Sequence, residues 1–189
     1  IEDSLSYDVE VPEVIDDKLR RAAVKTVKEA FHEIYDGNKV SLKQFNNISG
    51  IVTDIVDNIL YNKDATVNMI DLKVFDNYTF YHSVNVCVLA LVVGASLDYN
   101  RSQLNNLGLA AVLHDIGKMF VPIEILNKKG ILTKNEFDIV KKHSHLGYNY
   151  IKENFDIPAS SYVGILHHHE KFNGDGYPDK LSGKKISPF

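Results

Sequence analysis

Cysteine is nearly absent from this sequence of 189 residues, and tryptophan is missing altogether. A single thiol, that of Cys87, cannot form a disulfide within the chain, which excludes the disulfide-stabilised class of small secreted domains. The longest apolar run, from Val86 to Ala95, is about half as long as a membrane-spanning helix requires, so we expect no direct membrane insertion of this segment. No basic stretch followed by an apolar one opens the chain, which favours a cytoplasmic protein.

Excess positive charge is also lacking, because the formal net charge is −4. Surfaces that bind nucleic acid are generally basic, so we expect no DNA partner. Lysines are nevertheless frequent in the last third of the chain, where they would attract an anionic small molecule.

Apolar residues recur at helical spacing along most of the chain, as from Leu19 to Ile34, and no segment alternates convincingly between apolar and polar residues. Ser41 with Gln44 has the pattern of a capping box, in which two side chains satisfy the first backbone groups of a helix. The sequence therefore predicts an all-α fold.

The residues with potential chemistry lie in the second part of the chain. We expect residues 1–74 to form an N-terminal arm and a helical preamble, and residues 75–189 to form the functional domain. Seven of the eight histidines lie between positions 82 and 169. The helices predicted for this region run from about Tyr78 to Leu97, from Gln103 to about Lys118, from Thr133 to Glu153, and from Pro158 to near Glu170.

Four of these helices each carry histidine on an apolar face or at their end, namely His82, His114, His143, and the pair His168 and His169. One such histidine is usually an ordinary core residue, but several buried rings in one place each need a partner. A cation that binds the imidazole nitrogens would be such a partner. Five histidines with the carboxylate of Asp115 exceed what one ion takes from protein, which predicts two divalent ions with Asp115 between them. These donors suit Fe, Mn, Zn, Ni or Co rather than Ca or Mg.

The other three histidines are predicted to play no direct part. We interpret His32 as a surface residue. His145 is expected to face solvent or to lie behind the ligands, and His167 to support its neighbours rather than act as a ligand.

Two stretches resemble the motifs of a known family. His114-Asp115 resembles the His-Asp core of the HD phosphohydrolase superfamily. The eleven residues from His168 to Pro178 are similar to the motif His-His-Glu, two residues, Asp or Asn, Gly, one residue, Gly-Tyr-Pro, which defines the HD-GYP group. Tyr78 to Ser83, and His143 with Gly147, are similar to two further motifs of that group. The resemblance covers residues from about 75 to the end, and the preamble more loosely.

The resemblance implies an HD-domain helical bundle with an N-terminal helical preamble. It also implies a bacterial, metal-dependent phosphodiesterase that hydrolyses cyclic di-GMP to linear pGpG, GMP or both. The positions that match metal ligands are His82, His114, Asp115, His143, His168 and His169, with Fe or Mn as the favoured metals and Zn, Ni or Co as alternatives. Asp115 and Lys118 match catalytic positions, and Lys118 matches a lysine that contacts the scissile phosphate. The positions that match the substrate-binding segment are Asn173, Gly174, Gly176, Tyr177 and Pro178.

Two departures from the family pattern modify these expectations. Tyr78 stands where some members carry a glutamate that helps to hold a third metal, so we expect two ions. The family also continues past the position of Phe189 into a helix with another metal-binding aspartate and basic residues that touch the substrate. Within these 189 residues we therefore expect the site that shares His82 and His114 to be one ligand short.

Three alternatives stay open: a receptor, another enzyme of the HD superfamily, and a structural helical domain whose histidines are incidental. If the final aspartate is truly missing, the chain would be a receptor that binds cyclic di-GMP and has weak or no catalytic activity. It would be another nucleotide phosphohydrolase of the HD superfamily if the Gly-Tyr-Pro segment carries no function. A regulatory domain or a second copy of the chain is the expected protein partner in any of these cases.

Overall fold

The computed structural model describes residues 14–62 and 78–188, and in these ranges the protein contains helices and no β-strand. The helices are α1 (Asp17–Tyr35), α2 (Leu42–Tyr61), α3 (Tyr78–Ser96), α4 (Arg101–Leu113), α5 (Ile123–Leu126), α6 (Lys134–Val140), α7 (His143–Asn154) and α8 (Ala159–His167), with short 3-10 turns at Ile116–Phe120 and Gly183–Lys185. The predicted all-α class is confirmed. The predicted arm before residue 14 and the boundary at residues 74 and 75 lie outside the described residues, as do the side chain of Tyr78 and residue Phe189.

The start of α2 shows why the predicted capping box forms. The hydroxyl of Ser41 accepts from the backbone amide of Gln44, and the Gln44 side chain accepts from the amide of Ser41 at 2.9 Å. Both bonds satisfy amide groups that have no partner inside the helix. The same arrangement at Asn100 and Gln103 starts α4 two residues earlier than predicted.

Two helix boundaries were predicted wrongly. The helix predicted from Thr133 to Glu153 is interrupted at Lys141 and Lys142, so that α7 begins at His143. The helix predicted from Gln103 to about Lys118 ends at Leu113 and is followed by the 3-10 turn. Periodicity missed both breaks because the residues on either side continue a helical pattern, and tertiary contacts decide where the chain turns.

Helix α4 lies at the centre of the described structure, because it packs against α2, α3 and α8. Its buried side chains include Leu104, Val112 and Leu113, and they join one apolar core with residues of α1 and α2. The preamble therefore packs directly against the helices that carry the histidines.

Among the described residues, one helix is long and apolar enough to cross a membrane by length and composition. It is α3, whose window Thr79–Ser96 has a mean hydropathy of 1.5. A helix in the core of a soluble protein passes the same test, and α3 packs against α1, α2 and α4 with Val84, Cys87 and Leu91 buried. This finding is weak evidence for a membrane span.

The 3-10 turn after α4 touches the first turn of α7 through bare backbone. A Cβ atom built on Gly117 would lie 1.8 Å from the carbonyl oxygen of His143 and 2.6 Å from the backbone nitrogen of Gly147. No side chain fits into that space. Glycine at position 117 thus lets the turn that carries Asp115 lie against the start of α7, where His143 begins the helix.

We predict that Gly117→Ala lowers the free energy of unfolding by about 3 kcal/mol, at the upper end of typical overpacking effects, because the added methyl group meets rigid backbone. Gly50→Ala is the matched control, since Gly50 is exposed in α2 and nothing lies within 4 Å of its added methyl group. That control gains about 1 kcal/mol from helix propensity. Urea unfolding of both variants measures the difference, and a wild-type midpoint for Gly117→Ala would contradict the close approach.

Candidate metal centre

The six predicted ligands come from four places in the fold. His82 lies in α3, His114 and Asp115 directly follow α4, His143 is the first residue of α7, and His168 and His169 directly follow α8. The structure brings all six together in two groups that share Asp115: the first is His82, His114 and Asp115, and the second is Asp115, His143, His168 and His169. Within each group, the candidate ligand atoms lie within 4.8 Å of one another.

The carboxylate of Asp115 connects the two groups because its oxygens face different histidines. Oδ2 lies 3.1 Å from His114 Nε2 and 3.7 Å from His82 Nε2. Oδ1 lies 3.4 Å from His143 Nε2 and 3.9 Å from His168 Nε2. Oδ1 is buried and accepts no hydrogen bond from the described residues. Such an orphaned buried oxygen needs a positive partner.

Three histidines present the same nitrogen to the centre. The Nδ1 atoms of His114, His143 and His168 lie 2.7, 2.7 and 2.9 Å from the carbonyl oxygens of Ala111, Val140 and Ile165. A carbonyl oxygen only accepts, so each Nδ1 carries the proton. In the neutral rings of His143 and His168, Nε2 is then a bare acceptor on the side that faces Asp115. Metal-binding histidines are commonly oriented in this way.

Two of these acceptors face each other. His143 Nε2 lies 3.0 Å from His168 Nε2. Burial and the charge of His114 lower the pKa of His168 to about 3, and burial also lowers the pKa of His143, so neither ring takes a second proton at neutral pH. Lone pairs at that distance repel each other unless a cation binds both nitrogens. The donors present therefore fit a divalent metal ion.

Lys118 and Asp115 form an ion pair at the edge of the centre. Burial alone would raise the pKa of Asp115, but hydrogen bonds and charge from His114 and Lys118 lower it well below its ordinary value. The carboxyl group is therefore ionised at neutral pH. Lys118 Nζ donates to Asp115 Oδ2 at 2.6 Å, and 28% of the lysine side chain remains exposed. The ammonium group is thus in reach of both the buried carboxylate and a molecule that enters from solvent.

The predicted substrate-binding residues lie in the loop that follows α8, and they differ in their contacts. The Tyr177 ring stacks on His169, with centroids 4.5 Å apart and an interplanar angle of 24°. Burial, and then the charge of Asp115, raises the pKa of Tyr177 to about 12, which keeps its hydroxyl protonated. Asn173 is exposed, and its side chain bonds to Asp175 within the loop. Gly174 adopts a φ of +84°, and Pro178 is half-buried.

The remaining three histidines are not among the candidate ligands. His32 and His145 are exposed. His167 lies outside both ligand groups, and its Nε2 atom lies 2.9 Å from Asp179 Oδ2. Sequence reasoning missed Glu170, whose carboxylate accepts two backbone amides of the loop. Its place directly after His168 and His169 was the available signal.

Comparison with known proteins identifies the family of this chain and supports its fold. The family model described as HD domain matches residues 60–189. A cyclic di-GMP phosphodiesterase of Pseudomonas aeruginosa is 39% identical over 139 residues, which are 74% of this chain and 34% of that protein. A 3'3'-cGAMP-specific phosphodiesterase of Vibrio cholerae is 32% identical over 132 residues, or 69% of this chain and 30% of that protein. The chain thus spans about a third of the length of these relatives.

A solved structure from Bdellovibrio bacteriovorus, described as an HDG"Y"P protein, superposes with a TM-score of 0.71. At 20% identity it covers 90% of this chain and 54% of its own, and it supports the helical fold. The predicted HD-domain bundle is confirmed. The segments His114-Asp115 and His168 to Pro178 resemble the motifs of the HD-GYP group. With a family match over more than half of its length, the chain belongs to the HD domain family.

Proposed function

We propose that this chain carries the catalytic centre of a metal-dependent phosphodiesterase that hydrolyses cyclic di-GMP to linear pGpG, GMP or both. The observation that carries the proposal is the pair of histidine groups that share the buried carboxylate of Asp115. Two ions held side by side are a common device for displacement at phosphorus. The relatives named as cyclic di-GMP phosphodiesterases support the choice of substrate.

Each of the two groups would supply the ligands of one ion. Asp115, His143, His168 and His169 would hold one ion, and His82, His114 and Asp115 the other, with Fe or Mn favoured over Zn, Ni or Co. When bound, such a pair lowers the pKa of a water molecule and neutralises phosphate charge. The smaller group offers three ligands among the described residues.

Other properties of the reaction would depend on individual side chains of the centre and the loop. Asp115 stays ionised and holds the two groups together through its two oxygens. Lys118, half-buried beside Asp115, would stabilise negative charge on the non-bridging phosphate oxygens. Tyr177, whose hydroxyl remains protonated, would donate a hydrogen bond to the substrate at the wall next to His169. Gly174 and Gly176 let the loop backbone approach the nucleotide.

A second candidate substrate is cyclic GMP-AMP, because two relatives of this chain are named as specific for it. It differs from cyclic di-GMP in one base, whereas the proposed centre acts on the phosphate. A regulatory domain or a second copy of the chain remains the proposed protein partner, and the bacterial cytoplasm the proposed location.

We predict that Asp115→Ala abolishes turnover and lowers the metal content, because one carboxylate serves both ligand groups. Asp138→Ala is the control, since Asp138 lies in α6 with 47% of its side chain exposed and pairs with Lys141. Elemental analysis of anaerobically purified protein gives the metal content, and chromatography of the products gives the turnover. Undiminished hydrolysis by Asp115→Ala would refute the assignment.

We predict that Lys118→Ala slows turnover on the order of a hundredfold, the size seen when one charge-stabilising donor is removed. The metal content stays the same, because an ammonium group has no lone pair with which to bind a cation. Lys152→Ala, which removes an exposed lysine bonded to Tyr148 in α7, should leave both quantities unchanged. A loss of metal from Lys118→Ala would show that the lysine supports the centre instead of the substrate.

A panel of substrates separates the candidate functions. We predict that metal-replete, full-length protein hydrolyses cyclic di-GMP faster than cyclic GMP-AMP and leaves deoxynucleoside triphosphates intact. Binding of cyclic di-GMP without any hydrolysis would identify a receptor. Preferred hydrolysis of the triphosphates would favour another activity of the HD superfamily.

A further inference from the structure

Glu170 holds the loop after α8 by its backbone. Its Oε1 atom accepts from the amide of Asp179 at 2.7 Å, and its Oε2 atom accepts from the amide of Leu181 at 2.9 Å. Hydrogen bonds to an ionised carboxylate are roughly twice as strong as those between neutral groups. Both amides belong to the part of the loop that returns after Tyr177 and Pro178, so one side chain fixes where the loop comes back.

Further contacts press the same loop against the end of α8. His167 Nε2 lies 2.9 Å from the carboxylate of Asp179, and the amide of Tyr177 donates to the carbonyl of His169 at 3.3 Å. A Cβ atom built on Gly176 would lie 2.5 Å from the Cα atom of Glu170. The loop therefore crosses directly over the backbone that carries His169 and Glu170.

This crossing determines what orients His169. The Nδ1 atoms of His114, His143 and His168 are each fixed by a backbone carbonyl. In the described part of the chain, the ring nitrogens of His169 have no such bond. The neighbour that stacks on its ring is Tyr177, with ring centroids 4.5 Å apart and an interplanar angle of 24°. The rings of His168 and His143 also contact His169, with centroids 4.2 and 5.0 Å away, but neither stacks on it. The orientation of His169 therefore depends in part on the position of the loop.

We propose that Glu170 is a positioning residue of the metal centre. By fixing the backbone at Asp179 and Leu181, it keeps Tyr177 stacked on His169 and so directs that imidazole toward Asp115. The inference rests on the proposed function, in which His169 binds a metal ion. Groups that orient metal ligands typically contribute a factor of ten to a hundred to metal affinity.

Removal of Glu170 is expected to loosen the loop while leaving the helical core intact. Asp179 is exposed and Leu181 is half-buried, so water can replace the lost acceptors at both amides. The apolar core lies in the helices, and its buried members come from residues before position 166. The effect should therefore appear in metal binding before it appears in the cooperative unfolding of the protein.

The test measures the affinity of metal-free, full-length protein for Mn²⁺, from the loss of the free-ion signal in electron paramagnetic resonance. Glu170→Ala should weaken binding on the order of tenfold. Glu153→Ala, which removes an exposed carboxylate from α7, should bind as the wild type does. Thermal unfolding of each metal-free variant checks the fold. If Glu170→Ala does not fold, Glu170→Gln replaces it, because glutamine keeps only one acceptor oxygen, and weaker binding is again expected.

A double-mutant cycle tests whether Glu170 acts through Tyr177. Tyr177→Leu should weaken Mn²⁺ binding, whereas Tyr177→Phe keeps the ring and should bind as the wild type does. Glu170→Ala should then cause little further loss in the Tyr177→Leu background, because the two residues serve one contact. If Glu170→Ala weakens Mn²⁺ binding equally in both backgrounds, or binds Mn²⁺ as the wild type does, the role proposed for Glu170 is wrong. The proposed metal centre would stand in either case. Failure of the wild type to bind Mn²⁺ would overturn the proposed metal centre as well.

Discussion

The buried, ionised carboxylate of Asp115 is the constraint on which the rest of this structure depends. It is 1% exposed and lies among imidazoles whose acceptor nitrogens point toward it. Negative charge and lone pairs gathered in one buried place are unstable without positive charge. Lys118 supplies one positive charge at Oδ2, while Oδ1 has no hydrogen-bond partner among the described residues. A pair of bound cations, as proposed, would supply positive charge on both sides of the carboxylate.

Most of the side chains around Asp115 are placed there because helices begin or end beside them. Helix α4 ends just before His114, and α7 begins at His143, so both residues stand at helix termini around one point. Backbone contact at Gly117 sets the distance between those termini. After α8, the loop folds back over His169 through Glu170 and Gly176. Apart from His82, which lies within α3, the candidate ligands are therefore placed by helix ends and loops.

The sequence predicted the helical class and the six residues that meet, because apolar periodicity and histidine placement are local patterns. It did not predict the break at Lys141 and Lys142, which lies next to the close backbone approach of Gly117 to His143. It also did not show that Tyr177 stacks on His169, since no local pattern encodes the return path of a loop. The role of Glu170 as an acceptor of two backbone amides was hidden for the same reason.

If two metal ions share the carboxylate of Asp115, anomalous X-ray diffraction from crystals grown with Mn²⁺ will reveal both of them. We expect two peaks about 3.5–4 Å apart, one beside His82 and His114 and the other beside His143, His168 and His169, with Asp115 between them. No peak in this pocket, or peaks that do not touch Asp115, would contradict this expectation.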